Sequence, residues 1–316
     1  MTGDWDKDRI GCLLQRLCTD AGLAAPAGHT PIRVWAHSGV ERIRLTDART
    51  VVLKYAKTPF TGEDRLLTAC RRAGVPVPDV LAARHDDGIL TMLLEDLGHP
   101  IREASAGDAA RVAVVLHQQR DMTPFSPLPV WSDQNLAMLP GKALTALGTL
   151  TRNSRLGDVT GDIAVMLAAA DKVAAKRAAG ASLAPFGLVH GELHPTSVHI
   201  GARGLRLVDL AKTFIGPGLL DLATWYGTRS PPNPQRLHAH IRAYVAAGGA
   251  RDALTTRGGL PAADWALGWH RMWAANWLLD QAALGRNMLP SLETLLTTVQ
   301  RQVTGACALF RVCAAG

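Results

Sequence analysis

The stretch Leu188-Val189-His190-Gly191-Glu192-Leu193-His194-Pro195-Thr196-Ser197-Val198, followed by Asp209 in Leu207-Val208-Asp209-Leu210, constrains this chain more than any other feature. Val198 to Ile200 and Leu205 to Val208 read as short strands joined by the turn Gly201-Ala202-Arg203-Gly204. A charged loop therefore runs into a β-hairpin that ends on an acid. Glu192, Ser197 and Asp209 follow one another at intervals of five and twelve residues.

What surrounds the hairpin divides by pattern. Residues 4 to about 22 place Ile10, Leu13, Leu14 and Leu17 at helical spacing, and Ala24 to Pro31 reads as a loop. Three β-like runs follow, Ile32 to Ala36, Arg42 to Leu45 and Val51 to Tyr55, with a loop at residues 37–41 and a turn at 46–50: an antiparallel meander. A helix from Thr61 or Gly62 to Arg72 ends at Gly74 and the Pro76/Pro78 pair, and Ile89 to Leu94 forms one more run. From about residue 103 helical patterns dominate: 108–120, 142–150, 162–178, 234–247, 262–284 and 291–312. The expected fold is α+β and two-lobed, with a small antiparallel-sheet lobe over residues 1–97 and a larger, mostly helical lobe over 98–316.

Composition narrows the function. At 316 residues with 47% hydrophobic and 19% charged positions, the chain has enough apolar surface for a sizeable core. The net charge of +7 comes from scattered arginines without a basic run or interleaved aromatics, which disfavours nucleic acid and suits phosphate-bearing ligands. No run of eighteen apolar residues appears, and residues 1–6 have no signal-peptide character, so no membrane association and a cytoplasmic location are expected. Cys12, Cys18, Cys70, Cys307 and Cys313 form no CxxC pair and read as free thiols.

Phosphoryl transfer to a hydroxyl needs a carboxylate beside the acceptor. It also needs a polar metal ligand five residues on and an Asp after the next hairpin to hold Mg²⁺ against the phosphates, and the spacing here fits all three. The loop resembles the His-Gly-Asp-Leu-His-Pro-x-Asn pattern of the aminoglycoside phosphotransferase, choline kinase and homoserine kinase-like families, members of the protein-kinase-like superfamily, over most of the chain. Residues 216–223, Gly-Pro-Gly-Leu-Leu-Asp-Leu-Ala, look like the family's helix start, whose Asp braces the catalytic loop, so Asp221 inherits that role. Val51-Val52-Leu53-Lys54 resembles the strand with the phosphate-binding Lys, and Ser38-Gly39 the phosphate-covering turn. The segment from Leu93 to Gly98, with Glu95 and Leu97, resembles the hinge that holds adenine through backbone groups.

The resemblance implies ATP or GTP with Mg²⁺, and a small hydroxyl-bearing acceptor such as an antibiotic or a biosynthetic intermediate, taken by a monomer or homodimer. Glu192 would align the acceptor hydroxyl and take its proton, Asp209 and Ser197 would hold metal, Lys54 would neutralise phosphate and His190 would anchor the loop. Two positions depart from the pattern: Glu192 stands for Asp and Ser197 for Asn. A nucleotide-binding protein with little or no phosphotransfer is therefore the alternative reading. Glu63, Leu66, Leu67 and Cys70 share one helix stripe, which places a carboxylate among apolar residues and calls for Lys54 as its partner; otherwise Glu63 is an exposed first-turn acid. Trp265, Trp269, Trp273 and Trp277 recur every four residues, a pattern of core packing. In the functional version Trp269 and Trp273, with Trp225, wall the acceptor pocket.

Overall fold

The computed structural model describes residues 5–153, 159–286 and 288–312. The order begins with helix α1 (Lys7–Asp20), strands β1 (Pro26–Val34), β2 (Ser38–Leu45) and β3 (Thr50–Lys57), helix α2 (Glu63–Arg72), and strands β4 (Val80–Asp86) and β5 (Ile89–Glu95). Helices α3 (Ala106–His117), α4 (Asp133–Ala137), α5 (Leu139–Asn153) and α6 (Val159–Ala178) then lead to β6 (Phe186–Val189), β7 (Val198–Gly201), β8 (Gly204–Leu207) and β9 (Phe214–Pro217). Helices α7 (Leu219–Thr224), α8 (Pro234–Ala246), α9 (Ala262–Ala283) and α10 (Leu292–Phe310) complete the order. Two compact units emerge: residues 1–105, 123–126 and 195–212 form one, and residues 106–122, 127–194 and 213–316 the other.

In the first unit a five-stranded antiparallel sheet has the order β1-β2-β3-β5-β4. Helix α1 starts where the Asp6 carboxylate accepts the Arg9 amide and turns Ile10, Leu14 and Leu17 onto Ile43, Leu53, Tyr55 and Leu93. Where a loop was expected over Ala24 to Pro31, the chain is already in β1. An edge strand leaves outward amide positions free of pairing, so Pro26 and Pro31 cost no ladder bonds, and register shifts sit beside both. The expected loop at residues 37–41 is likewise strand from Ser38 onward. Strand β4 escaped the sequence reading, although Asp87-Gly88, with φ of 47° and 73°, is a two-residue hairpin turn of the left-handed kind.

Helices make up most of the second unit, joined by the β6–β9 pair, which the sequence pattern did not reveal. Trp265 and Trp269 on α9 are fully buried, and both indole N–H groups donate to the Arg177 carbonyl, at 2.7 and 3.1 Å. One carbonyl has two lone pairs, so two donors saturate it. Truncating either ring to Ala would cost about 3 to 5 kcal/mol. Cys18, Cys70 and Cys307 are buried free thiols and Cys12 is exposed, whereas Cys313 lies outside the described residues. No helix among the described residues is long and apolar enough to cross a membrane.

Candidate functional site

Lys54 projects from β3 and Glu63 opens α2; they are 5% and 2% exposed, and Lys54 Nζ stands 2.6 Å from Glu63 Oε2. The exposed-acid alternative for Glu63 is thereby excluded. Burial alone would depress the Lys54 ammonium, but the carboxylates of Glu63 and Asp209 outweigh it and raise its pKa, so the lysine stays charged. Lys54 Nζ also reaches Asp209 Oδ1 at 2.9 Å, and Asp209 Oδ2 lies 3.1 Å from Arg33 Nη2.

Asp209, two residues beyond β8, adopts a left-handed backbone with φ 66°. That turn is held on both sides: Val208 N–H donates to the Ser197 carbonyl at 2.9 Å and Leu210 N–H to Glu63 Oε1 at 3.0 Å. Glu63 therefore serves two masters, the lysine and the turn. The Asp209 side chain keeps a quarter of its surface exposed, while Ser197 is buried. Among the described residues no group of three or more His, Cys, Asp or Glu could cage a metal. A partly accessible carboxylate beside a buried lysine suits Mg²⁺, which keeps several waters and takes one or two carboxylates together with phosphate oxygens. The donor set fits such an ion.

Ser38 and Gly39, the expected phosphate-covering turn, open strand β2. Ser38 is buried and its hydroxyl accepts the Trp35 indole N–H at 2.6 Å, so its side chain belongs to the hairpin. Gly39 pairs with Tyr55 in the ladder, and a Cβ there would overlap the Tyr55 ring; close packing explains this glycine. In the segment expected to act as a hinge, Glu95 Oε1 meets Arg203 at 2.7 Å, and the Asp96 carbonyl accepts a second Arg203 bond at 3.1 Å. Leu97 lies between Asp96 and Gly98, whose N–H donates to Asp96 Oδ1 at 2.9 Å, fixing the backbone around it. Burial works against the Asp96 carboxylate, but the Arg42 guanidinium and the Gly98 amide outweigh it and hold its pKa below the usual range.

In the second unit the loop after β6 rests on Asp221, fully buried near the start of α7. The His190 amide donates to Asp221 Oδ2 at 2.8 Å and the Gly191 amide, at φ 82°, to Oδ1 at 2.9 Å. Thr213 and Thr224 hydroxyls donate to the carbonyls of His190 and Leu193, and Glu192 N–H to His190 Nδ1 at 3.2 Å. Glu192 itself is half-buried. Two residues not singled out from the sequence complete the brace: His117 Nε2 lies 3.3 Å from Asp221 Oδ2, and its Nδ1 3.2 Å from the Tyr244 hydroxyl. Burial pushes the Tyr244 phenol up to about 12, so it stays a donor. His117 closes α3.

The aromatic expectations separate. Trp269 is corrected to a core residue, since a fully buried ring 4.8 Å from Phe310 offers no face to an acceptor. Trp225 is buried edge-on to His240, and Trp273 is half-buried beside Phe214.

The family model described as the phosphotransferase enzyme family matches residues 27–255. In a comparison with curated proteins, none matches. Among solved structures, a choline/ethanolamine kinase family protein from Mesorhizobium loti has 16% identity and a TM-score of 0.64, covering 97% of this chain and 95% of its own. An amicoumacin kinase in complex with AMP-PNP, Ca²⁺ and Ami has 14% identity and a TM-score of 0.60, covering 95% and 94%. A macrolide 2'-phosphotransferase from Brachybacterium faecium has 18% identity and a TM-score of 0.58, covering 94% and 97%. These likenesses show a shared protein-kinase-like α+β fold.

Proposed function

Because the chain belongs to the phosphotransferase enzyme family, we propose that it transfers a phosphoryl group from ATP or GTP to the hydroxyl of a small molecule. The buried Lys54–Glu63 pair beside the accessible Asp209 carboxylate carries this reading. A lysine kept charged by two acids would steady phosphate oxygens, and Asp209, with Ser197, would hold Mg²⁺. That ion, when bound, spreads the charge that develops on the phosphates. Glu192 would take the acceptor proton as the acceptor oxygen bonds to the γ-phosphorus and the bond to the leaving nucleoside diphosphate breaks. Asp221 would keep the loop that bears Glu192 in shape, and the hinge backbone around Glu95 and Leu97 would take the base.

Neighbours named for amicoumacin, macrolides and choline or ethanolamine make such compounds the first acceptors to try. Each would be incubated with the full chain and Mg-ATP or Mg-GTP, and nucleoside diphosphate measured against an enzyme-free blank. Product above the blank that depends on an acceptor is expected; none with any acceptor, from a chain that still binds nucleotide, would favour the second reading. That second reading, a nucleotide-binding protein without turnover, rests on Glu192 and Ser197. The longer Glu moves its carboxylate by roughly 1 Å, a misplacement that can lower a rate about a hundredfold.

A further inference from the structure

Arg33 is a charged group in contact with this site to which the reading above gives no role. Register places Arg33 opposite Val40 and Val40 opposite Lys54, so the three form one row across β1, β2 and β3 and share a face of the sheet. Arg33 reaches that face through a bulge. The register shift between Pro31 and Arg33 makes Ile32 the extra residue, 54% exposed, and returns the next side chain to the face of Lys54. Plain alternation would have turned Arg33 away from it.

Asp209 is thus gripped by one cation on each oxygen, Lys54 on Oδ1 and Arg33 on Oδ2. The two grips differ in kind: Lys54 is buried, whereas the Arg33 side chain is 53% exposed, and an exposed pair is held weakly. A divalent cation on Asp209 would repel the guanidinium and free it for the nearest anion.

Resting on the nucleotide reading, we propose that Arg33 is a phosphate-binding residue of this site, leaving Asp209 to take the β- and γ-phosphate oxygens of a bound nucleoside triphosphate. A guanidinium is suited to this because its planar fork meets two phosphate oxygens at once.

Calorimetric titration of the full chain with Mg-ATP and, separately, with AMP tests the assignment. Arg33→Ala should weaken Mg-ATP about 10- to 100-fold, the range of a charge-assisted pair, and leave AMP within about twofold. Arg33→Lys should fall between, and the ligand-free melting temperature should not move, since the side chain is largely exposed. Unchanged or tighter Mg-ATP binding by Arg33→Ala would make Arg33 a mere counter-ion of Asp209 and overturn the proposal, as would an equal loss for Mg-ATP and AMP. A wild type that binds neither nucleotide would overturn the nucleotide reading itself, and the wild-type arm separates that failure from one confined to Arg33.

Discussion

Replacing Asp221 by Asn keeps the side-chain volume but removes the charge and one acceptor oxygen. Three donors converge on this carboxylate: Gly191 N–H on Oδ1, and His190 N–H and His117 Nε2 on Oδ2. The best arrangement of the amide keeps its oxygen on the side with two donors and points its NH₂ at the Gly191 N–H. A buried amide without an acceptor costs about 1 to 3 kcal/mol, and turning each of the other two bonds from charged to neutral costs about 1 kcal/mol more. The sum, roughly 3 to 5 kcal/mol, is a large share of a typical stability and corresponds to a fall in melting temperature on the order of 10 °C. Scanning calorimetry of the full chain measures that fall, and amide hydrogen exchange at His190 and Gly191 reports its place. A variant that melts within about 2 °C of wild type, with exchange at both amides unchanged, would refute the charged brace.

His240 is buried between Trp225 and Tyr226, and burial pushes its pKa from 6.5 down to about 4. The unfolded chain then binds the extra proton first, so stability should fall as pH drops from 6.5 towards 4, by up to about 3 kcal/mol; His240→Phe should flatten that part of the melting curve against pH. Lys54→Met strands the Glu63 carboxylate and should cost about 3 to 5 kcal/mol in urea unfolding, with much of it recovered when Glu63→Leu is added. If Glu192 is the base, Glu192→Gln should lower turnover about 10²- to 10⁴-fold while Mg-ATP affinity holds, and an unchanged rate would remove it from the mechanism. A site adapted to the longer acid should lose rate in Glu192→Asp, whereas a decayed one should gain, most clearly with Ser197→Asn.

The sequence made the Lys54–Glu63 contact legible because an acid on an apolar helix stripe demands a partner, and a strand lysine was the available one. Local periodicity carried that inference. The first part of β1, residues 26–31, was hidden because Pro26 and Pro31 argue against a strand unless its edge position is known, and edge position is a property of the assembled sheet. β6 and β9, four residues each, are too short to show a period at all. His117 and Tyr244 lie 127 residues apart, and no local signal joins them. Arg33 was illegible for a different reason: a bulge decides its face, and an alternating pattern cannot display one. The tryptophan stripe was visible, but which of its rings are sealed in depends on what packs over each.

The unit that carries Lys54 is assembled from segments far apart in the chain, residues 1–105, 123–126 and 195–212. On the ribosome this imposes an order. The sheet, α1 and α2 emerge early, with Lys54 and Glu63 already present, but Asp209 and the Leu210 amide that share their charge follow about a hundred residues later. At ordinary elongation rates of about 5 to 20 residues per second, that gap lasts roughly 5 to 20 seconds. A sheet folded within that interval would hold Lys54 and Glu63 with only each other as partners, and the hairpin that ends at Asp209 supplies the rest.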